Sequence, residues 1–458
     1  MREEILSELR SIVGEDWVVT GEDRIQGYLY DETPPPMLPK ASEDVVVVKP
    51  GNTREVSEII KLANRYKIPV FPRGGGTGLV GACVPTLSGI VLSLERMNKI
   101  VVDKENLIAE AEAGATLADL IKAAEDAGLF FPLHPGDEGA QIGGLLACNA
   151  GGVRAIKTGV MRNYVKGMEV VLPTGEILTL GGKLVKNNAG YDLMHLIIGS
   201  EGTLGVITKA WIRLQPKSAA SATIVVPFKD RETALKAVPA IFHEGIIPLA
   251  IEYMERDLIE KTAQQLGLTW PCKEGDHQLM LILTETSEAA LYDACEKLMN
   301  LCERLGSLEP LLAESREEQE TILKIRSEIY SALRSNLIDI LDTTVPPAQL
   351  VELIKATEEL GKKYNTYLPV FGHAGDGNLH IHIMKEEGWT QEEYDRLRDE
   401  IYKKAVELGG TITGEHGIGY TRKKSIQKYL DKKALELMKA IKQVFDPNNI
   451  LNPDKILP

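Results

Sequence analysis

Residues 68–89 read IPVFPRGGGTGLVGACVPTLSG, and the fold turns on how that run of glycines is read. Gly76-Thr77-Gly78-Leu79-Val80-Gly81 satisfies the G-x-G-x-x-G pattern of dinucleotide-binding Rossmann units. That fingerprint requires the glycines to open a helix, because the helix N-terminus holds the pyrophosphate. After Gly81 the chain runs ACVPTLSGIVLSL, in which Pro85 and Gly89 prevent a helix and IVLSL reads as a strand. The match is accidental. What survives is PRGGGTG, whose bare backbone N–H groups suit an anion-binding nest. A merely tight loop is the alternative, set against the conformational cost of three successive glycines.

Upstream, DVVVVKP and IPVF read as strands around a helix, REVSEIIKLANRYK, which puts Val56, Ile59, Ile60 and Ala63 on one face. Asn52 or Thr53 serves as its cap. Downstream, residues 90–114 read as two strands, IVLSLERMNKIVVD and LIAEAEAG, around a turn at Lys104–Asn106. A helix follows with Thr116 as cap, Leu117, Leu120, Ile121 and Ala124 inward, and Gly128 as stop. Glycine then rises to 15 of the 75 residues 131–205, against 41 of 458 overall, as expected of backbone draped over a ligand.

Near residue 215, QPKSAASAT marks a boundary. From about 221 to 410 two similar blocks appear. The first runs ATIVVPF, RETALKAVPAIFHE, PLAIEYM, HQLMLILTE and a long helix from Ser287; the second runs IDILDTTVP, PAQLVELIKATEELGKKY, LPVFGHAG, NLHIHIMK and a helix from Thr390. Both read as α+β halves of ferredoxin-like type sharing a sheet.

The totals set limits. A net charge of −14, with 52 Lys+Arg dispersed along the chain, argues against nucleic acid and anionic membrane surfaces as partners. Nowhere do 18 apolar residues run together, and the acidic start resembles no signal peptide, so a cytoplasmic protein without a membrane span is expected. The five cysteines show no C-x-x-C spacing, which argues for reduced thiols and against a ferredoxin-type iron–sulfur cluster. Cys295 and Cys302 read as helix core, and Glu314–Glu320 as a solvated helix face. No G-x-S-x-G, H-E-x-x-H or P-loop motif occurs.

Four of the eight histidines fall between 373 and 416, in FGHAGDGNLHIHIM and TITGEHGIGYTRKK. His380 and His382 sit two apart in an alternating strand and so share a face. With His373 across a glycine turn and Glu415-His416 in another, the set offers imidazoles and a carboxylate, common ligands for a catalytic divalent ion. Zinc, iron(II) and manganese fit the spacing equally. Ordinary hydrogen-bonded histidines are the alternative for any one of them.

Three stretches together, PRGGGTGLVGACVP, HPGDEGAQIGGLLACNAGG with TGVMRNYVKGMEVVLPTGE, and KNNAGYDLMHLIIGSEGTLGVIT, resemble the vanillyl-alcohol-oxidase-type flavoproteins. With GHAGDGNLHIHI, GEHGIG and ILNPDKI, the chain is most similar to the branch holding the flavoprotein chain of glycolate oxidase, D-lactate dehydrogenase and D-2-hydroxyglutarate dehydrogenase. The likeness runs over about residues 40–458. It implies an α+β fold: a two-part FAD-binding domain (1–217), a ferredoxin-like substrate or cap domain (218–412), and a segment (413–458) returning to the FAD domain.

By that resemblance Pro72, Arg73, Gly74, Gly75, Gly76, Thr77 and Gly78 hold the flavin pyrophosphate. Pro135, Asp137, Gly143, Gly144, Asn149, Gly152, Gly159, Glu201, Ile207 and Asn452 match further flavin-contacting segments. Thr77 stands where relatives with covalent flavin carry histidine, which implies non-covalent FAD. Gln141 and the string PGDEGA depart from the family pattern, so individual contacts there are open. The metal falls to His373, His380 and Glu415, with His416 as base, Arg326 gripping the substrate carboxylate, and His382 touching substrate or completing the shell.

The activity implied is oxidation of a small D-2-hydroxy acid, D-lactate or glycolate. Ile340 and Leu341, apolar just ahead of the Asp342–Pro346 D-x-x-x-P segment, stand where relatives acting on diacids can carry a basic residue. Electrons would leave to an external acceptor such as an electron-transfer flavoprotein, an iron–sulfur subunit, a quinone or oxygen. A D-2-hydroxyglutarate dehydrogenase and a non-catalytic flavin subunit are the alternatives, and homo-oligomerisation is compatible with the chain.

Overall fold

The structure, a computed structural model, describes residues 2–313 and 315–458. Glu314, the first residue of the acidic stretch, lies outside the described residues. The chain divides into two compact units. One comprises residues up to Gly151, Val160–Lys217 and Glu415–Pro458; the other comprises Gly152–Gly159 and Ser218–Gly414.

Among the described residues, the first unit has two main sheets. One is ordered β1 (Val18–Val19), β2 (Val45–Val48), β4 (Gly89–Ser93), β3 (Val70–Arg73), with β2, β4 and β3 parallel. The helix Thr53–Tyr66 connects β2 to β3 and is capped by the Asn52 side chain, which accepts from Glu55 N. Val56, Ile59, Ile60 and Ala63 are fully buried with Val46, Val48, Ile90 and Leu92. A parallel sheet covered by such a crossover needs apolar residues on both faces of its strands, which is why DVVVVKP does not alternate.

The second sheet is antiparallel, ordered β5 (Ile100–Asp103), β6 (Ile108–Glu112), β10 (Val206–Arg213), β8 (Val165–Val171), β9 (Ile177–Gly181). A two-stranded pair joins β7 (Leu129–Phe130) to β11 (Gln215–Pro216). The stretch expected as one strand, IVLSLERMNKIVVD, is two strands in different sheets. A turn closed by Met97 N to Leu94 O separates them, and Lys49 Nζ holds Glu95 at 2.7 Å beside it. The helix Leu117–Asp126 carries the expected Thr116 cap as a full capping box with Asp119.

The second unit is built on one antiparallel sheet ordered β15 (Leu311–Leu312), β12 (Ala220–Phe228), β14 (His277–Glu285), β13 (Ala250–Glu255), β17 (Val370–His373), β18 (Asn378–Met384), β16 (Leu337–Thr344). Beyond the short β15, the order is first–third–second strand of one half, then second–third–first of the other. The two sequence blocks therefore meet at β13 and β17, where Tyr253 registers with Gly372. The helix Arg256–Leu266, absent from the sequence reading, buries Leu258, Ile259, Thr262 and Ala263. Those positions repeat at helical spacing, so the signal was present.

Cys295 and Cys302 are buried on the helix Glu288–Arg304, and all five cysteines are free thiols. Burial pushes Cys83 up to about 11, Cys148 and Cys302 up to about 12, and raises Cys272 and Cys295. A thiol near 11 is thiolate in only about one molecule in a thousand at pH 8. Brief iodoacetamide treatment of the native protein at pH 8, read by peptide mass spectrometry, should leave these cysteines unmodified. Rapid carboxamidomethylation of Cys83 or Cys148 would contradict this. Among the described residues no helix is long and apolar enough to cross a membrane.

Candidate active site

In the first unit the glycine-rich segment leaves β3 without a following helix, as its proline and glycine spacing requires. Gly76 lies at φ +74°, and a Cβ there would collide with the Arg73 guanidinium. That guanidinium is spent within the protein: Nη1 donates to Tyr30 O at 2.8 Å and to Cys83 Sγ at 3.3 Å, and Nη2 to Gly27 O at 3.0 Å. Arg73 thus braces the loop from behind. A second loop faces it. A Cβ on Gly75 would stand 2.8 Å from Gly139 O, and one on Gly74 3.5 Å from Gln141 Cβ. Asp137 shapes this second loop by accepting from Gly139 N at 2.7 Å.

Glu201 and Asn452 join the same region. Glu201 Oε1 accepts from Ile418 N at 2.8 Å and Oε2 from Gly419 N at 2.7 Å, while Asn452 Nδ2 donates to Glu201 O at 2.7 Å. Burial raises the Glu201 pKa against the pull of those two amides and Arg422. Gly202 approaches Pro72, with an added Cβ at 3.4 Å from Pro72 Cγ. Pro72–Gly78, Asp137–Gly144, Glu201 and Asn452 are therefore drawn around one loop.

The remaining candidates sit differently. Asn149 ends the helix Ile142–Cys148 at φ +52° and accepts from Arg162 N at 3.0 Å. Ile207 lies in the β10–β8 ladder opposite Val170. Gly152 and Gly159 bracket the short segment that belongs to the second unit, and Pro135 precedes the Asp137 turn.

In the second unit, cross-strand register places one set of side chains on a single sheet face. His380 pairs with Phe371 on one side and Asp342 on the other, Asn378 pairs with His373 and Thr344, and His382 pairs with Ile340. Directly opposed antiparallel residues share a face, as do residues two apart. Glu252, one place from the Tyr253–Gly372 pair, falls opposite His373. That face thus gathers Glu252, His373, Asn378, His380, His382 and Asp342. A turn at Gly377, whose φ is +82° and whose Cβ would collide with Val345 O, reverses the chain between His373 and His380.

The polar contacts on this face are specific. Glu252, 0% exposed, accepts from His373 Nδ1 at 2.7 Å, from Arg326 Nε at 2.8 Å and from Arg326 Nη2. Burial alone would raise its pKa; the Arg326 charge and then His373 outweigh burial and hold the carboxyl at about 2. Arg326 also lies over the Phe371 ring, 5.1 Å from its centroid. Asp342, likewise 0% exposed, accepts from Asn378 Nδ2 at 2.8 Å, Thr413 Oγ1 at 2.7 Å and Gly414 N at 2.9 Å, and lies 3.7 Å from His380 Nδ1. Glu415 and His416 follow directly in the chain from Gly414. His382 stacks on Phe371 and places Nδ1 3.2 Å from Pro369 O.

Glu252 and Asn378 were not singled out from the sequence, and Asp342 was noted only as the start of the D-x-x-x-P segment. Two of them had a signal: Glu252 and Asp342 are carboxylates inside mainly apolar strand sequences, PLAIEYM and IDILD, and a buried charge needs partners.

Residues 217–456 match the family model for FAD linked oxidases, C-terminal domain, and residues 45–181 match the FAD binding domain model. The chain belongs to the FAD-linked oxidases. This FAD-linked oxidase is 45% identical to D-lactate dehydrogenase of Archaeoglobus fulgidus, over 94% of this chain and 95% of that one. It is 38% identical to glycolate oxidase subunit GlcD of Bacillus subtilis, over 94% and 91%. Against D-2-hydroxyglutarate dehydrogenase of Stutzerimonas stutzeri the identity is 30%, over 99% and 98%. Among solved structures, p-cresol methylhydroxylase superposes with a TM-score of 0.81 at 17% identity, covering 99% of this chain and 96% of that one. The chain thus has the vanillyl-alcohol-oxidase-type fold, and its sequence relatives make it an oxidoreductase.

The glycine loop fits a dinucleotide by its own geometry. Space beside Gly75 is closed to any side chain, and Asp31 Oδ2, Gln141 Oε1 and Asn452 Oδ1 are buried without a hydrogen-bond partner among the described residues. A polar ligand with several donors answers these orphaned acceptors. On the sheet face, the donor chemistry of neutral imidazoles and carboxylates suits a divalent ion.

Proposed function

We propose that this FAD-linked oxidase converts a small D-2-hydroxy acid, D-lactate or glycolate, to the 2-oxo acid. It would use non-covalent FAD and a divalent ion (zinc, iron(II) or manganese) and pass electrons to an external acceptor such as an electron-transfer flavoprotein or an iron–sulfur subunit. The observation that carries this reading is the single sheet face on which three imidazoles and two buried carboxylates gather, with Arg326 held against one of those carboxylates. The names borne by the D-lactate and glycolate relatives support it.

When bound, FAD supplies a two-electron acceptor and the ion supplies Lewis acidity that eases hydroxyl ionisation. The chain does the rest. Backbone N–H groups of Gly74–Gly78, with Pro72 and Thr77, cradle the pyrophosphate, and Asn452 and Glu201 hold neighbouring backbone in place. His373, His380 and Glu415 hold the ion. Asp342 pins Gly414 and so fixes where the chain departs into Glu415 and His416. Arg326 turns its planar edge to the substrate carboxylate, a grip that lysine does not reproduce. His416, at an imidazole nitrogen, takes the hydroxyl proton, the general-base role that histidine most often fills. His382, stacked on Phe371, supports the floor of the face.

Ile340 shares the face with Asp342 and His382, whereas Leu341 turns to the other side of the sheet, so it is the apolar Ile340 that favours a monocarboxylic substrate over one with a second carboxylate. The value of kcat/KM for D-lactate should exceed that for D-2-hydroxyglutarate by about tenfold or more, the scale of one unpaired charge–dipole contact. Steady-state rates with an artificial electron acceptor measure both. A clear advantage for the diacid would defeat the assignment and favour the D-2-hydroxyglutarate reading.

A further inference from the structure

Glu252 is a fully buried carboxylate that takes no part in the ligand, clamp and base roles of the proposed reaction. It sits on β13, where the Tyr253–Gly372 register turns it toward His373. Its two oxygens divide their work: Oε1 accepts from His373 Nδ1 at 2.7 Å, and Oε2 accepts from Arg326 Nε at 2.8 Å and from Nη2. One carboxylate therefore holds a candidate metal ligand and the candidate substrate clamp. We propose that Glu252 is a positioning residue that couples ion binding to substrate binding, setting the His373 tautomer with one oxygen and the Arg326 fork with the other. This rests on the reading of the face as the hydroxy-acid site.

The chemistry is specific to a carboxylate of this length. An ionised carboxylate only accepts, so the proton of neutral His373 stands on Nδ1 and the lone pair on Nε2, the nitrogen then able to ligate. Arg326 presents two N–H groups to Glu252, which leaves its Nη1 edge for a second carboxylate, and the Phe371 ring 5.1 Å from the guanidinium restricts rotation out of that orientation. Glutamine keeps the shape but replaces one acceptor with an NH2 donor, so either His373 or Arg326 must face a donor. Aspartate keeps both acceptors but is one carbon short of the pair.

The test uses FAD-loaded wild type, Glu252→Gln and Glu252→Asp. Manganese affinity is measured by chelator competition, and KM and kcat are measured for D-lactate. Glu252→Gln should weaken manganese by about 10–100-fold, the usual cost of losing a ligand's outer partner. It should also raise KM for D-lactate while retaining stoichiometric FAD. Glu252→Asp should shift both constants in the same directions by less. A His373→Ala background should abolish the effect of Glu252→Gln on manganese affinity, which a general loosening of the fold would not do. If Glu252→Gln does not accumulate as folded protein, the aspartate variant decides by the same two constants. Unchanged manganese affinity and unchanged KM in a folded variant overturn the proposal. A wild type that takes up no divalent ion overturns instead the reading of the site on which the proposal rests.

Discussion

Replacing His380 with alanine is expected to strip the divalent ion and lower kcat/KM by about a thousandfold or more, while the protein stays yellow. The two effects separate because His380 belongs to the sheet face of the second unit, whereas the loop fitted to FAD lies in the first. Lewis-acid assistance contributes several kcal/mol to such a barrier, and each 1.36 kcal/mol is a factor of ten in rate. Metal analysis by mass spectrometry and the flavin absorbance band read the two properties on one sample. Loss of FAD with retention of the ion would reverse the assignment of the two sites.

Arg326→Ala is expected to have the largest effect on stability. It leaves Glu252, 0% exposed, with His373 as its remaining partner in the trio. Removing one member of a buried ion pair costs about 3–5 kcal/mol, since the other charge stays desolvated. For a unit of this size each kcal/mol moves Tm by about 2–4 °C, so a fall of about 6–20 °C follows. Arg326→Lys should recover part of that loss by returning the charge, but little of the activity, because the fork is gone. Differential scanning calorimetry checks the first part. A change in Tm within about 2 °C would show that Glu252 is not held by that pair.

The strands and helices that position both regions were legible where periodicity was strong. The Asn52 and Thr116 caps, the β2–helix–β3 unit and the two repeated blocks all follow from local pattern. The glycine loop was legible by exclusion, because Pro85 and Gly89 ruled out the helix that a Rossmann reading needs. The join of the two blocks at β13 and β17 was not legible, since strand order is set by non-local pairing. That join alone brings Glu252 opposite His373. The same holds for Asp342, whose hold on Thr413 and Gly414 spans some seventy residues of sequence. Arg73 shows the converse limit: it stands in the glycine segment, yet its guanidinium serves main-chain carbonyls of an earlier loop.

The most direct test of the central claim is anaerobic reduction of the enzyme-bound flavin, followed near 450 nm after mixing with D-lactate. The account predicts rapid bleaching by the native enzyme, loss of bleaching after treatment with a strong chelator, and recovery on adding back zinc, iron(II) or manganese. Bleaching that proceeds unchanged in the metal-stripped enzyme, with the flavin still bound, would contradict it.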